Sequence, residues 1–183
     1  MKNKQVKIIV TGGAGFIGGT LLRMLLNKKK YKIYNLDKLG YASDLSWMQN
    51  SKYEKSIYNF IKIDLIDKEK LERVVKEIEP EIIMHLAAES HVDRSIDDPS
   101  NFIQSNILGT FNMLEASRSY WESMDNVKKS NFRFIHVSTD EVFGSLGLEG
   151  EFDENTKYSP RSPYSASKAS SDHLVQSWHH TYG

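Results

Sequence analysis

Short apolar segments rich in β-branched residues alternate with segments of helical periodicity along most of this 183-residue chain. The apolar segments predict strands, and the periodic segments predict helices. Nearly uninterrupted apolar strands that alternate with helices are typical of a parallel sheet covered on both faces. Because such crossovers are right-handed, the pattern predicts an α/β fold with a doubly wound parallel sheet, the Rossmann fold.

Five strands and four helices have clear bounds in the sequence. The predicted strands are Val6–Val10, Lys32–Asp37, Asn59–Asp64, Glu81–Leu86 and Phe132–Ser138. The predicted helices are Gly15–Asn27, Asp67–Ile78, about Ser100–Trp121, and one that runs to about Tyr182 with Ser162 as N-cap and Pro163 at its first position. The connection from residue 38 to residue 58 has no period, so we expect function or extra helical turns there.

The composition is typical of one soluble domain, and its balanced charges create no strong electrostatic field. Hydrophobic residues make up 39% and charged residues 26%, and a chain of this length can bury one core of ordinary size. Lys+Arg and Asp+Glu balance at 24 each, so we expect no nucleic-acid partner. The run Lys28–Lys30 is better explained as the cationic end of a helix.

Cysteine is absent, which excludes disulfides, thiolate metal sites and a cysteine nucleophile. The apolar run Val6–Thr11 is too short for a signal peptide or a membrane-spanning helix, so we expect a cytoplasmic protein without a membrane partner. His85 and His91 have no third ligand at helical spacing, and structural histidines are favoured over a metal site. No metal is therefore expected.

A glycine-rich segment, residues 12–18, joins the first strand to the first helix. Gly12 would permit a tight turn, Gly15 would let the backbone approach a pyrophosphate, and Gly18 would let helix and sheet pack closely. The helix N-terminus would offer free N–H groups to the phosphates. A turn that merely reverses the chain is the alternative, because the spacing alone is a weak signal.

Acidic residues end the second and third predicted strands. Asp37 follows Gly18 by about 20 residues, where a carboxylate is expected at the adenosine ribose of a dinucleotide. A carboxylate there would repel a 2′-phosphate and so favours NAD over NADP, although the adjacent Lys38 could soften that preference. Asp64 is expected at the adenine rim, with a simple strand-end cap as an equal alternative. NAD is the predicted cofactor.

Three segments are expected to meet at the carboxyl ends of the strands, where ligands of open α/β sheets bind. After the fourth strand, Ala87 and Ala88 are small enough for a cofactor to lie close, and Ser90 could donate to a ligand oxygen. Residues 139–141 follow the fifth strand. Tyr164 and Lys168 share one face of the last helix.

The pairs Tyr164/Lys168 and Asp140/Glu141 each have a chemical interpretation and a structural alternative. The Lys168 ammonium and the positive charge of a nicotinamide would favour the phenolate form of Tyr164, which could then take the proton of a sugar hydroxyl. The alternative is that the two residues lie on the helix surface without a function, as a lone Tyr-x-x-x-Lys usually does. Asp140 and Glu141 would divide into an acid and a base suited to eliminating water beside a carbonyl. The alternative is a solvated loop pair or a helix start.

These motifs resemble the extended short-chain dehydrogenase/reductases and, within them, the dTDP-glucose 4,6-dehydratases. The resemblance is carried by residues Thr11–Gly18, Asp37–Leu39, His85–Ile96, Ser138–Gly144 and Ser162–Asp172. Nucleotide-sugar 4-epimerases share the fold and the Tyr/Lys pair, but the Asp–Glu pair after Thr139 resembles the dehydratases. Gly40 and Ser43 stand where this family usually has Thr and Gly, and Phe143 replaces a usual Tyr.

The resemblance implies conversion of dTDP-glucose to its 4-keto-6-deoxy form, a precursor of deoxysugars such as rhamnose. Tyr164 would deprotonate the 4-hydroxyl while hydride passes to NAD, Glu141 would take the C5 proton, and Asp140 would protonate the departing C6 hydroxyl. Return of the hydride to C6 would leave the cofactor unchanged. Thr139 and Ser90 would orient the substrate.

The resemblance also implies contacts to NAD and a homodimer. Besides Gly12, Gly15, Gly18 and Asp37, the implied NAD contacts are Phe16, Ile17, Lys38, Leu39, Gly40, Asp64, Leu65, Leu86, Ala87, Ala88, Glu89, Ser90, Ser105, Tyr164 and Lys168. The dimer would form through the helices around Ser100–Trp121 and Tyr164–Tyr182.

Full-length members of this family continue past the Tyr/Lys helix with a sixth strand and a smaller substrate domain. We therefore expect residues 1–183 to be the NAD-binding Rossmann domain that carries the catalytic residues, with the C-terminal substrate domain missing. Phe132–Ser138 would then be an unpaired edge, and the chain alone would bind NAD weakly and turn over poorly.

Two other hypotheses stay open at this point. One is a nucleotide-sugar 4-epimerase, or a dehydratase of another nucleotide-sugar. The other is a non-catalytic NAD-binding module, against which the presence of Asp140, Glu141, Tyr164 and Lys168 together argues.

Overall fold

Five parallel strands form one sheet in a computed structural model that describes residues 5–49 and 56–183. The strand order is β3-β2-β1-β4-β5. The strands are β1 (Val6–Thr11), β2 (Tyr31–Asp37), β3 (Tyr58–Lys62), β4 (Ile82–His85) and β5 (Arg133–His136). The strand order reverses beside β1, which opens a crevice at the carboxyl ends of β1 and β4. The predicted doubly wound parallel sheet is confirmed.

Helices lie between the strands and after the last strand. They are α1 (Phe16–Asn27), α2 (Ser46–Gln49), α3 (Lys68–Ile78), α4 (Val92–Asp97), α5 (Ser100–Phe102), α6 (Gly109–Glu122), α7 (Asn126–Asn131) and α8 (Pro163–Tyr182). A π-helical stretch, Ile103–Leu108, joins α5 to α6, and a 3₁₀ turn covers Asp140–Phe143. The predicted start of the last helix is confirmed, because the Ser162 side chain accepts from the Ser165 backbone N–H and Pro163 follows.

Two apolar clusters cover the sheet, one on each face. Ile8 and Val10 pack with Leu22 of α1, whereas Ile9, between them in β1, packs in the cluster that contains Leu71 of α3. This division follows from the alternation of side chains along a strand. Each such fully buried side chain contributes about 1.5–3 kcal/mol to the stability of the fold.

The predicted and observed bounds of the strands differ by one or two residues. The third and fifth strands end earlier than predicted, at Lys62 and His136. Their ladders nevertheless extend by one hydrogen bond each, from the N–H groups of Ile63 and Val137. The apolar sequence segments are thus longer than the stretches of regular strand pairing that they contain.

Short helices were not predicted, for two physical reasons. α7 has a single apolar residue, the exposed Val127, so it has no hydrophobic period, and it is held by its N-cap Asp125, which accepts from the Lys128 N–H. α4 has only six residues, of which Ser95 alone is buried. In the connection of residues 38–58, α2 is an extra helical turn; residues 50–55 lie outside the described part.

Some further findings concern only residues 5–49 and 56–183. Within them, β5 has a neighbouring strand on one side only, and Ile135 and Val137 are exposed, as expected for an edge. None of the helices in these ranges has the length and apolar character needed to cross a membrane. The same residues contain no group of three or more His, Asp or Glu side chains arranged to hold a metal ion.

Candidate active site

A cavity of about 380 Å³ opens at the carboxyl ends of the strands. Its lining includes the glycine-rich segment, the ends of β2 and β3, residues 86–90 after β4 (the β4 loop), Ser105, Val137, Ser138, Tyr164 and Lys168. Of the predicted cofactor residues, all of which the structure describes, Leu39 is the one outside this lining. The structure thus brings the other predicted cofactor residues around one cavity; that they bind a cofactor stays a prediction.

The glycine-rich segment forms a turn that has no room for a side chain at Gly12 or Gly18. Gly12 has a φ of +72°, and a Cβ there would lie 2.7 Å from the backbone of Ala87. A Cβ on Gly18 would lie 2.2 Å from the carbonyl oxygen of Gly12. Gly18 therefore packs against the turn itself, whereas the prediction placed it against the sheet.

The N-terminus of α1 faces this turn without a side-chain cap. Gly15 occupies the N-cap position in an extended conformation, and no side chain bonds the first N–H groups of the helix. Phe16 and Ile17, the first helical residues, line the cavity and are exposed. The free N–H groups and the helix dipole make this end suitable for an anion such as a phosphate.

Asp37 joins the glycine-rich turn to the segment after β2. One carboxylate oxygen accepts from the Ala14 N–H at 2.9 Å. The other accepts from the Leu39 N–H at 2.8 Å and from the Ser43 hydroxyl at 3.3 Å. A carboxylate has about four acceptor positions, so one stays available toward the cavity.

Lys38 is paired across the mouth of the cavity. Its ammonium lies 2.7 Å from a carboxylate oxygen of Glu89 and donates to the Ser105 hydroxyl at 2.9 Å. The three residues come from the end of β2, the β4 loop and the π-helical stretch. Because its charge is matched by Glu89, Lys38 offers less attraction to a 2′-phosphate than the sequence suggested.

Asn106, in the π-helical stretch, is a buried residue that sequence reasoning missed. Its amide accepts from the Glu89 N–H at 2.8 Å and donates to the Glu89 carbonyl at 2.9 Å. It also donates to the Ser167 hydroxyl at 2.8 Å, and its carbonyl accepts from Ser171. Asn106 therefore ties the β4 loop to α8. A polar residue amid an apolar helical pattern was the available signal.

His85 supports the floor of the cavity as a structural histidine. Its Nδ1 lies 2.8 Å from the Thr11 hydroxyl and its Nε2 lies 3.0 Å from the Thr110 hydroxyl. The Thr11 oxygen also accepts from the N–H groups of Leu86 and Ala87, so its proton must point to His85. Burial holds the pKa of His85 well below its usual value, and the ring is neutral.

Lys168 is buried, and its ammonium donates to the Val137 carbonyl at 2.7 Å. Burial lowers the pKa of Lys168, and the charge of Asp172 opposes that change. Lys168 also lines the cavity, so its remaining N–H groups can serve a ligand there.

The surroundings of Tyr164 determine the pKa of its phenol. Burial raises the pKa of its phenol, the Thr139 hydroxyl lowers it through a hydrogen bond, and the charges of Glu141 and Asp140 raise it. The sequence predicts that Lys168 and a nicotinamide charge together favour the phenolate. In the protein without a cofactor, burial dominates and the Lys168 ammonium is directed to the Val137 carbonyl, so the effect of the two charges in a cofactor-bound site stays a prediction.

Asp140 and Glu141, the predicted acid–base pair, follow Thr139 near Tyr164. Thr139 begins the 3₁₀ turn, and its hydroxyl accepts from the Glu141 N–H at 3.3 Å. Asp140 is exposed and Glu141 is half-buried, and neither lines the cavity. Both charges nevertheless act on the Tyr164 phenol, so the two halves of the predicted site lie close to one another. The division of acid and base roles between the two carboxyl groups stays a prediction.

Comparison with known proteins agrees with this geometry. The model of the family described as GDP-mannose 4,6 dehydratase matches residues 9–183. The dTDP-glucose 4,6-dehydratase of Haemophilus influenzae is 49% identical over 180 residues, which make up 98% of this chain and 53% of that protein. The chain spans about half the length of the curated relatives it matches.

Solved structures show the same fold. The dTDP-glucose 4,6-dehydratase of Bacillus anthracis in complex with NAD has a TM-score of 0.81 and 38% identity, over 97% of this chain and 51% of that chain. The UDP-glucose 4-epimerase of Thermus thermophilus in complex with NAD has a TM-score of 0.81 and 31% identity, over 97% and 52%. The resemblance to nucleotide-sugar enzymes is confirmed, and the chain belongs to the GDP-mannose 4,6 dehydratase family.

Proposed function

We propose that this chain is the cofactor-binding and catalytic part of an NAD-dependent dTDP-glucose 4,6-dehydratase, a lyase. One observation carries the proposal: Tyr164 with Lys168, and Thr139 with its two carboxylates, converge beside a cavity that the Gly12 turn also lines. The names of relatives that are 49% and 51% identical to this chain over the matched residues support the substrate.

The residues around the cavity fit NAD. The Gly12 turn excludes any Cβ beside Ala87, and the uncapped start of α1 at Gly15 offers N–H groups to a pyrophosphate. Asp37 has a free acceptor position for a ribose hydroxyl and would repel a 2′-phosphate. When bound, NAD would supply the oxidising and reducing capacity, accepting a hydride from the sugar C4 and returning it to C6.

The protein's own residues would carry out four proton transfers. The phenol oxygen of Tyr164 takes the proton of the sugar 4-hydroxyl, while Lys168 holds the nicotinamide ribose. The carboxylate of Glu141 then takes the C5 proton, which the neighbouring 4-ketone makes acidic. The carboxyl of Asp140 gives its proton to the C6 hydroxyl, which leaves as water. When the hydride returns to C6, Glu141 returns a proton to C5, so that C4 ends oxidised and C6 reduced and the product is dTDP-4-keto-6-deoxyglucose.

Specific hydroxyls would hold the sugar in place. Ser90 lines the cavity and Thr139 lies against Tyr164, so both are suited to orient the substrate. For the domain organisation, we propose that residues 1–183 form the Rossmann domain. A further domain of the protein would bind the nucleotide of the substrate. The product would serve the synthesis of deoxysugars such as rhamnose.

The assembly and location follow the same reasoning. The proposed homodimer forms through the helices α5–α6 and α8, where apolar side chains such as Ile103, Leu108 and Tyr182 are exposed. Sedimentation of the purified protein at a mass of two chains is the expected result, and a monomer at micromolar concentration would contradict it.

The absence of cysteine agrees with a cytoplasmic protein.

A 4-epimerase is the second candidate, supported by the similar fold of the epimerase of Thermus thermophilus. A 4,6-dehydratase needs the acid–base pair Asp140/Glu141 to eliminate water, whereas a 4-epimerase does not. We expect Asp140→Asn combined with Glu141→Gln, in the protein expressed from its whole coding sequence, to abolish formation of the 4-keto product while NAD binding persists. Activity that survives this double change would favour the epimerase, and a wild-type protein that binds NAD but converts no nucleotide-sugar would favour a non-catalytic module.

A further inference from the structure

Asp172 is a buried carboxylate behind the wall of the cavity that the chemistry above does not use. It lies on α8 one turn beyond Lys168. One of its oxygens accepts from the Ser138 hydroxyl at 2.5 Å and from the Tyr158 hydroxyl at 2.9 Å. These donors belong to the two ends of the segment that carries Asp140 and Glu141.

The other oxygen of Asp172 faces His136. The distance from Nε2 of His136 to this oxygen is 3.1 Å, but the alignment falls short of a well-formed hydrogen bond. Burial lowers the pKa of His136, so the ring is neutral at pH 7. Burial alone would raise the pKa of Asp172, but its contacts with His136, Ser138 and Tyr158 lower it overall. Asp172 is thus an ionised carboxylate that is surrounded by neutral side chains.

Tyr158 extends this link to the far end of the 3₁₀ turn. Burial and the contact with Asp172 raise the pKa of Tyr158 to about 12, so its hydroxyl keeps the proton that it donates. The Tyr158 ring packs edge-on against Phe143, the last residue of the turn, with 5.3 Å between ring centres. The next residue, Ser159, donates its N–H to the Val142 carbonyl at 2.9 Å.

We propose that Asp172 is a positioning residue that fixes the acid–base pair Asp140/Glu141 relative to Tyr164 and Lys168. It acts through Ser138 before the 3₁₀ turn and through Tyr158 after it, while its own helix carries the Tyr/Lys pair. The inference rests on the proposed function, since it gives that pair a reaction to perform. Misplacement of a reacting group by about 1 Å can lower a rate about 100-fold.

Hydrogen exchange tests this role without any need for turnover. In the protein expressed from its whole coding sequence, Tyr158→Phe and Ser138→Ala each remove one hydroxyl, and Asp172→Ala removes the shared acceptor. Ser177→Ala is the matched control, because Ser177 lies on the exposed face of the same helix. We expect faster amide exchange in residues 138–143 for the first three variants, unchanged exchange in β1 and α1, and no change for Ser177→Ala.

Rescue and turnover separate positioning from a general loss of structure. Asp172→Asn keeps an oxygen for both hydroxyls, so we expect it to restore most of the protection that Asp172→Ala loses. Where dTDP-glucose is turned over, Tyr158→Phe should lower kcat about 10- to 100-fold with little change in KM or in NAD affinity.

Several results would overturn the proposal. They are unchanged exchange of residues 138–143 in Tyr158→Phe and Asp172→Ala, acceleration spread equally over all strands, or Asp172→Asn behaving like Asp172→Ala. If Asp172→Ala does not fold, the two hydroxyl variants test the same link. A wild-type protein without dehydratase activity would remove the proposed function, yet the exchange result would still decide whether Asp172 holds the turn.

Discussion

Tyr164 shows how the properties of one side chain depend on its surroundings. Burial and the nearby carboxylates raise the pKa of its phenol, and the Thr139 hydroxyl is the group that lowers it. A phenol that must act as a base needs a group that lowers its pKa, because its usual pKa is already about 10. Thr139 therefore tunes Tyr164 in addition to beginning the 3₁₀ turn.

Replacing Thr139 by Val removes this hydrogen bond and should raise the pKa of Tyr164 further. Because the phenolate is the proposed base, activity should rise as pH passes upward through this pKa. The rise should therefore move to higher pH, and kcat/KM at neutral pH should fall about 2- to 10-fold, the worth of one neutral hydrogen bond. Thr139→Ser keeps the hydroxyl and should keep the midpoint of the pH profile. A profile for Thr139→Val with the wild-type midpoint would argue against this tuning.

At the scale of elements, the turn between β1 and α1 is built for close contact. The positive φ of Gly12 and the 2.7 Å approach to Ala87 forbid any side chain there. The turn is held from the opposite side by Asp37, which accepts from the Ala14 N–H. A single added methyl group would therefore push the β4 loop away from the glycine-rich segment.

We expect Gly12→Ala to destabilise the protein by about 1–3 kcal/mol, the cost of a strained residue, and to abolish measurable NAD binding. Gly147→Ala is a matched control, because a Cβ at Gly147 meets nothing within 4 Å. Thermal unfolding and calorimetric titration with NAD check both effects. Equal behaviour of the two variants would show that the turn tolerates a side chain.

The π-helical stretch between α5 and α6 is the second element that shapes the site. It brings Asn106 into bonding distance of both Glu89 and Ser167, which belong to elements far apart in the chain. In the same stretch the Asn106 carbonyl accepts from the Ser171 hydroxyl of α8, which adds a second link to that helix.

Asn106→Leu should destabilise the protein by at least about 1–3 kcal/mol, because buried polar groups of Glu89 lose their partners. Denaturant unfolding measures this loss, and NAD affinity should fall with it because the β4 loop is released from α8. Asn101→Ala, at an exposed position just before the stretch, is the control and should change the free energy of unfolding by less than about 0.5 kcal/mol. A similar loss in both variants would contradict the structural role of Asn106.

At the scale of the whole molecule, the sheet and its long helices could be predicted because each strand is an apolar run and α3 and α8 have clear caps. The clustering of Gly12, Asp37 and Tyr164 could also be expected, since parallel strands end at one edge. Polar links such as Asn106 to Ser167 could not, because they join residues 61 positions apart through contacts that have no local pattern. The raised pKa of Tyr164 was missed for the same reason: burial depends on the assembled fold.

The central claim is that a Tyr/Lys pair and two carboxylates act on one sugar, and solvent-isotope incorporation tests it most directly. The protein expressed from its whole coding sequence is incubated with dTDP-glucose and NAD in deuterated water, and the product is examined by NMR. Removal of the C5 proton by Glu141 predicts a 4-keto-6-deoxy product with deuterium at C5. A C4-epimer with its original C5 hydrogen, or no conversion of the sugar, would contradict the account.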